Sequence, residues 1–475
     1  LQPGIEGIDV ATVRFFRHHF HLAYVMLGLV EIAILILSVY AGAFIRFFDD
    51  PSVVQQAIGA LPARAAVVAV VVNLCMLAMG LYQPNMRDGF TGVVLRTGVA
   101  FVIGAVGLTM VFYIWPGVFL GRGALLLSLS IAFGATLAVR LVFSNYINSN
   151  VLRNRVMVLG AGNKANLIAQ RLRRKSDQRG FDLVGYLPVS DQDNLVDGRL
   201  LANHSQSLLK LARKLGIEEI VVAVDDQRSG MPVDQLLECK LAGVRITDVL
   251  TFIEREAQRI DVSLLKPSWL IFSDGCGNRG VRRWSMRVFD VLAASLLLVL
   301  TWPLMLAAII AIKIEDGLRA PVLYSQERVG RNGKTFKVHK FRSMIENAEK
   351  GGAQWASKND MRVTRVGDVL RKYRVDELPQ LFNILFGDMA FVGPRPERPV
   401  FVEQLSQELP FYGERHRVKP GLTGWAQLNY PYGASVTDSM RKLEYDMYYV
   451  KNNSLLLDVM ILLQTVEVVL FGRGR

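Results

Sequence analysis

Arg371-Lys372-Tyr373-Arg374-Val375-Asp376-Glu377-Leu378-Pro379-Gln380 sets two adjacent carboxylates directly after a basic cluster. The chain continues through Gly387-Asp388-Met389 to Gly393-Pro394-Arg395-Pro396-Glu397, where an arginine stands between two prolines. Most Asp-Glu pairs are simply solvated, but this one has unusual company. Leu378, Leu381, Phe382, Ile384 and Leu385 form an apolar run expected to bury the backbone beside the pair. Neighbouring Arg and Lys keep a carboxylate ionised. An ionised carboxylate can act as a nucleophile or hold Mg2+. The surrounding cations suit a substrate rich in phosphate.

Upstream of this stretch, residues 324–334 read as a strand entering a glycine turn. Residues 337–344 alternate, with Lys340 and Arg342 on one face if the segment is extended. Two cations on one face can grip a diphosphate, whereas a solvated strand edge decorated with lysine is the plainer alternative. Downstream, Arg415 and Arg417 precede the turn signal Lys419-Pro420-Gly421. Trp425, Tyr445, Tyr448 and Tyr449 offer amphipathic groups for a membrane interface, although such tyrosines more often pack. Residues 455–470 are apolar but hold Asp458, Gln464 and Glu467, which reads as an amphipathic helix lying on a membrane or on the core.

Further back, residues 288–314 are almost wholly apolar. As one helix they reach about 40 Å, enough to span a bilayer. Trp302-Pro303 lies in the middle, and proline removes a backbone donor and kinks a helix. Both flanks are basic: Arg279, Arg282, Arg283 and Arg287 before, Lys313, Arg319 and Arg328 after. Positive charge at both ends favours neither crossing direction. A helix broken at Trp302-Pro303 that dips into the bilayer and returns satisfies both flanks. A kinked spanning helix is the alternative, since proline alone does not exclude it.

The rest of the chain fits a membrane protein. Of 475 residues, 51% are hydrophobic, and the mean hydropathy of +0.27 is high for a soluble protein. Residues 22–44, 63–82, 93–115 and 123–143 each approach the ~20 residues that cross a bilayer core. Arg14 and Arg17, Arg87 and Arg96, and Arg140, Arg153 and Arg155 outweigh Arg46, Arg64 and Arg122, which places both ends of these spans in the cytoplasm. Glu31 inside the first span faces a partner helix or a polar path, or is an interior hydrogen bonder. The net charge of +13 favours anionic lipid and phosphorylated substrates over nucleic acid in such a context. Cys75, Cys239 and Cys276 are widely separated, without disulfide or zinc spacing, as on a reducing cytosolic side. His18, His19 and His21 read as interfacial rather than metal-binding.

From Arg155 to Ile246 short apolar strands alternate with helices, which implies a parallel sheet covered on both faces. Gly160-Ala161-Gly162-Asn163-Lys164-Ala165 matches a relaxed dinucleotide turn, able to hold phosphate at a helix N-terminus. The signal is weak. The acid expected to end the second strand is missing, Asp182 being placed ahead of it, and no Tyr-x-x-x-Lys pair appears in the region. A structural or regulatory role is favoured over a redox one.

Together, motifs 326–330, 340–344, 376–383, 387–396 and 419–425 make the chain resemble the bacterial polyprenyl-phosphate sugar-1-phosphate transferases. These monotopic phosphoglycosyl transferases initiate exopolysaccharide, capsule or O-antigen synthesis. The preceding spans and Rossmann-like region resemble the large subgroup of that family. The fold class so implied is membrane α plus α/β: four transmembrane helices in 1–150, a Rossmann-like cytoplasmic domain in 151–265, a linker in 266–283, and a catalytic domain in 284–475 with a re-entrant helix at 288–314. The resemblance implies transfer of a hexose-1-phosphate from a UDP-sugar to undecaprenyl phosphate, with release of UMP, at the bacterial inner membrane. It makes Asp376 the nucleophile and a Mg2+ ligand, and Glu377 its partner. It assigns Lys340, Arg342, Arg395, Gln380 and Arg328 to the substrate and its phosphates, and makes a homodimer the expected assembly. Arg374-Val375 and Ala390-Phe391 depart from the family's more usual Ser-Leu at both places. Two rival readings are a membrane-bound, NAD-dependent UDP-sugar dehydratase or epimerase, and a nucleotide-sensing membrane scaffold.

Overall fold

The computed structural model describes residues 12–15, 18–47, 61–82, 90–148, 153–172, 178, 180–189, 195–196, 207–226, 231–265, 280–345, 361–430, 433 and 435–470. The chain divides into two compact units, Leu1–Gln258 and Arg259–Arg475.

In the first unit, strands β1 (Thr12–Phe15) and β2 (His18–His21) pair antiparallel and lead into four apolar helices. These are α1 (Leu22–Arg46), α2 (Leu61–Ala78), α3 (Phe90–Ile114) and α4 (Arg122–Asn148). All four are long and apolar enough to cross a membrane. Leu35, Val72, Met76 and Leu108 are buried among them, yet Leu37, Val102 and Leu126 point outward and are exposed. Helices that are apolar on the outer face as well as the inner one belong in lipid. Their interior holds one charged knot. Arg140 Nε and Nη2 lie 2.7 and 2.9 Å from the two oxygens of Glu31, and Tyr82 Oη donates to Glu31 at 2.5 Å. Arg140 also donates to Leu81 O at 3.1 Å, in the turn that follows α2. Glu31 is thus an interior hydrogen bonder facing a partner helix, satisfied as an ion in an apolar setting must be. The side chains of His18, His19 and His21 lie outside the described residues.

Then follow β3 (Asn154–Leu159), α5 (Asn163–Arg171), β4 (Phe181–Leu187), α6 (Leu208–Leu215), β5 (Glu219–Val222), α7 (Val233–Leu241), β6 (Arg245–Asp248) and α8 (Val249–Ala257). The strands form one parallel sheet in the order β4-β3-β5-β6. Their unbroken apolar runs reflect burial on both faces. Asp182 is not ahead of its strand but its second residue, because pairing with β3 begins at Phe181.

The second unit opens with α9 (Gly280–Asp316), a single helix of 37 residues with Pro303 inside it. Of the expected linker, 266–279 lie outside the described residues, and 280–283 are the first turn of this helix. Next come the hairpin β7 (Leu323–Val329) and β8 (Thr335–Phe341), then α10 (Arg365–Lys372), α11 (Gln380–Phe386), β9 (Ala390–Val392) and α12 (Pro399–Glu408). β10 (Gly421–Thr423) pairs parallel with β9, and α13 (Trp425–Asn429), α14 (Val436–Asn452) and α15 (Leu455–Leu470) complete the unit. Ala308 and Ile312 of α9 form a core with Phe341, Leu370 and Val375, which seats the apolar helix directly beneath the turn after α10. Trp425, Tyr448 and Tyr449 are buried and not interfacial. Trp425 stacks on Tyr448, and Tyr449 Oη bonds Asp458 at 2.7 Å. That bond, with Leu457 and Ile461 buried, lays α15 on the core.

Candidate active site

Asp376 and Glu377 occupy one 3-10 turn, Val375–Glu377, between α10 and α11. Arg374 just before it has a left-handed backbone, φ 56°. For a residue with a Cβ that conformation costs roughly 1–2 kcal/mol, and it stops the preceding helix. Leu381 and Ile384, both fully buried, anchor the helix that follows. The two carboxylates are each 7% exposed, so their charges must be met by protein or ligand.

Glu377 is met by protein. Lys340 Nζ lies 3.1 Å and Arg395 Nη2 3.0 Å from its Oε1, and Arg374 Nη1 lies 3.2 Å from its Oε2. Among the described residues none donates a hydrogen bond to Asp376. Burial opposes ionisation of Glu377, but Lys340, Arg395 and Arg374 together hold it well below the usual carboxylate range. Burial and then the Glu377 charge push Asp376 up to about 6, against the pull of Lys340, Arg371 and Arg395. The cations expected around both acids therefore bond Glu377 directly and reach Asp376 only through their charge.

Each cation is positioned from behind. Asn383 Nδ2 donates to Lys337 O at 2.8 Å, and its Oδ1 accepts from His339 N at 3.2 Å, which stitches α11 to the strand carrying Lys340. The Pro394-Arg395-Pro396 loop is gripped through its carbonyls. Arg415 Nη2 donates to Arg395 O at 3.0 Å and Arg328 Nη1 to Pro396 O at 3.2 Å. Arg415 is itself fixed by Asp446 at 2.8 Å and Tyr412 Oη at 2.6 Å. The loop can lie this close to the turn at 419–421 because both sides carry glycine. A Cβ on Gly393 would meet Lys419 O at 2.3 Å, and one on Gly421 would meet Gly393 N at 2.1 Å.

The other residues singled out from sequence are distributed around this centre. Arg342 does not join Lys340. The strand ends at Phe341, and the Arg342 guanidinium turns to Asp316 at the end of α9, 2.5 Å away. Arg328 bonds Gln326 at 2.6 Å and Glu397 at 3.3 Å, so it braces the arginine loop rather than the carboxylates. Gln380 is buried at the first position of α11. Trp302 is exposed beside Pro303 within α9, away from the polar cluster in sequence and in chemistry. Arg374, Asn383 and Arg415 were not singled out as site residues. Arg374 belongs to the basic cluster before the acids but carries no individual role in the sequence, and the roles of the other two depend on backbone groups far along the chain.

No cluster of three His, Cys, Asp or Glu side chains suitable for a metal is present among the described residues. Mg2+ needs less, since it typically takes one or two carboxylates and completes its shell with substrate phosphate and water. Asp376, buried and without a hydrogen-bond donor among the described residues, fits that requirement.

The glycine turn of the first unit is already filled. Asp225 Oδ2 accepts from Asn163 N at 2.7 Å and Oδ1 from Lys164 N at 2.9 Å. Lys164 Nζ closes over it, bonding Val224 O at 2.7 Å and Asp225 O at 3.0 Å. An internal carboxylate thus sits where a phosphate would meet the helix.

Residues 281–472 match the bacterial sugar transferase family. Over 250 residues the chain is 43% identical to UDP-N-acetylgalactosamine-undecaprenyl-phosphate N-acetylgalactosaminephosphotransferase of Aeromonas hydrophila, covering 53% of this chain and 58% of that one. It is 35% identical over 335 residues to undecaprenyl-phosphate glucose phosphotransferase of Komagataeibacter xylinus, covering 68% and 60%. It is 33% identical over 321 residues to UDP-glucose:undecaprenyl-phosphate glucose-1-phosphate transferase of Escherichia coli (strain K12), covering 66% and 67%. The chain belongs to the bacterial sugar transferase family, and it spans about three fifths of the length of the first two of these relatives.

Proposed function

We propose that the protein transfers a hexose-1-phosphate from a UDP-sugar to undecaprenyl phosphate and releases UMP, in two displacements at one phosphorus. In the first, a carboxylate oxygen of Asp376 attacks the β-phosphorus of the UDP-sugar. The bond to the bridging oxygen breaks, UMP leaves with that oxygen and its electron pair, and the sugar phosphate is held on Asp376 as an acyl phosphate. In the second, an oxygen of the lipid phosphate attacks the same phosphorus and the Asp376 carboxylate departs unchanged. Splitting the transfer lets a soluble donor and a lipid acceptor use one site in turn.

The observation that carries this reading is the unequal sharing of cations. Both oxygens of Glu377 are occupied by Lys340, Arg395 and Arg374, whereas Asp376 has no hydrogen-bond donor among the described residues. Asp376 is the carboxylate free to attack, and Glu377 stores the cations until a diphosphate arrives to take them. A carboxylate and a diphosphate repel by about 4 kcal/mol at 4 Å and an effective dielectric of 20. Lys340 and Arg395 offset that repulsion and stabilise the charge that gathers on the transferred phosphoryl group. Mg2+ held by Asp376 and the diphosphate would supply further charge neutralisation. Gln380, first residue of the helix after the carboxylate turn, and Arg328, which holds Pro396 O of the arginine loop, are assigned to the sugar nucleotide on the family resemblance.

The fold around the site supports a re-entrant α9. Arg287, near its start, bonds α11, and Glu315, near its end, bonds α10, so one polar unit holds both ends of an apolar helix. A helix crossing the bilayer would leave its ends on opposite sides. A bend at Trp302-Pro303 would keep both on the side of the polar unit, and the family resemblance makes that side the cytoplasmic face of the inner membrane. The α/β region serves structure or regulation, and the family resemblance supports a homodimer. Asp225 in the glycine turn speaks against an NAD-dependent dehydratase or epimerase. The test is a UDP-sugar panel with Mg2+ and undecaprenyl phosphate, reading UMP. Release that depends on the sugar nucleotide and is lost in Asp376→Asn supports the reading. Substantial turnover by that variant removes Asp376 as the nucleophile.

A further inference from the structure

Both helices that flank the carboxylate turn are short, eight residues for α10 and seven for α11. Short helices expose a large share of their backbone groups at the ends, and those groups need partners. The apolar helix α9 supplies them. Glu315 accepts from Arg365 N at 2.8 Å and Val366 N at 3.0 Å, the first turn of α10. Arg287 Nη1 donates to Ile384 O at 2.5 Å and Nη2 to Leu385 O at 2.6 Å, the last turn of α11. One turn further along α9, Asp290 Oδ1 accepts from Phe391 N at 3.0 Å in β9, the strand that leads to Arg395. Asp376 and Glu377 therefore lie between two helices whose outer ends are held by the opposite ends of one membrane-seated element. Charge reinforces both ties, because an acid suits a helix N-terminus and a cation a C-terminus.

We propose that Arg287 and Glu315 are positioning residues that make the membrane seating of α9 set the placement of Asp376. The proposal rests on the reading of Asp376 as nucleophile. Neither side chain touches the carboxylates, and each acts through the helix it caps. A shift of about 1 Å in a reacting group can cost about 100-fold in rate. The loss should fall on the chemical step rather than on binding of the donor.

The experiment compares wild type, Arg287→Met and Glu315→Gln in lipid nanodiscs, with Arg287→Lys and Glu315→Asp as conservative partners. Steady-state UMP release is measured beside amide hydrogen exchange. The first two variants should lose about 10- to 100-fold in kcat, with KM for the UDP-sugar within about threefold of wild type. The conservative variants should recover part of it. Exchange should quicken at Glu377, Leu378 and Phe391 while the β7–β8 hairpin keeps its protection. Unchanged kcat with unchanged exchange at Glu377 and Leu378 overturns the proposal. So does a rise in KM at constant kcat, or exchange that quickens everywhere, which would make the residues merely structural. If Arg287→Met or Glu315→Gln does not fold, the same comparisons are read from the conservative variants. If wild type releases no UMP from any UDP-sugar, the functional reading fails, and the clamp is judged on exchange alone.

Discussion

Asp376 and Glu377 are chain neighbours with opposite surroundings: three cations bond Glu377, and no described residue donates to Asp376. The asymmetry follows from the 3-10 turn that carries them. Glu377 faces the β8 strand and the arginine loop, so it collects Lys340 and Arg395 from two different elements. For Asp376, burial and the charge of its neighbour outweigh the pull of Lys340, Arg371 and Arg395, and its carboxyl is pushed up to about 6.

That value sets a pH dependence. Only the ionised form attacks phosphorus, so kcat/KM for UMP release should fall as pH drops through about 6 in the free enzyme. Glu377→Gln removes the adjacent negative charge and leaves Lys340 and Arg395 to act on Asp376. The acid limb should then move to lower pH even though the rate falls. A limb that stays in place would show that Asp376 does not govern it.

Stability should respond in the opposite sense. The folded Asp376 holds its proton more tightly than an unfolded aspartate of about 3.9, so stability declines as pH rises between roughly 4 and 6 and is level above. Asp376→Asn removes this cost. Its thermal midpoint should exceed that of wild type at pH 7.5, by an amount equivalent to no more than about 2–3 kcal/mol, and the gap should close below about pH 4. A variant less stable than wild type at pH 7.5 would contradict the assigned environment.

Arg415 gives a prediction away from the carboxylates. Arg415→Met leaves Asp446 buried without its ion pair, a change that typically costs about 3–5 kcal/mol. Burial already raises Asp446 to about 6, with Arg415 pulling against it, so without the arginine it should protonate more readily. The deficit should therefore widen between pH 6 and pH 8. Adding Asp446→Leu should narrow it, while UMP release stays low because Arg395 has lost its brace. Equal stability of the single variant and wild type across that range would refute the account of the loop.

The filled glycine turn predicts that wild type does not bind NAD at micromolar concentrations by calorimetry. Asp225→Ala should lower stability by about 0.5–2 kcal/mol, as loss of a helix cap does, and should make the thermal midpoint sensitive to added phosphate. Tight NAD binding by wild type would reinstate a dinucleotide role.

The two levels of information in the chain were unequally legible. The four apolar helices and the parallel strands follow from local composition and period, and the helices begin and end within a few residues of the expected spans. Glu31 was visible, but its partner Arg140 lies 109 positions away, and no local pattern joins them. In the site, Lys340 and Arg395 could be named because they sit in dense motifs beside the acids. Alternation carried past Phe341 would put Arg342 beside Lys340, but the strand ends there and Arg342 turns to Asp316. Arg415 and Arg287 act on backbone carbonyls, which leave no mark on the sequence of the partner. Asp225 closes a turn that, by its glycines alone, looked open.

The central claim is covalent attack by Asp376, and trapping the attacked state tests it most directly. Protein in nanodiscs is mixed with a UDP-sugar and Mg2+ in the absence of lipid phosphate, quenched, and read by UMP release and peptide mass. The account predicts a burst of about one UMP per site, a hexose-phosphate adduct on the peptide containing Asp376, and neither in Asp376→Asn. UMP that appears only when undecaprenyl phosphate is present, with no adduct on that peptide, would contradict it.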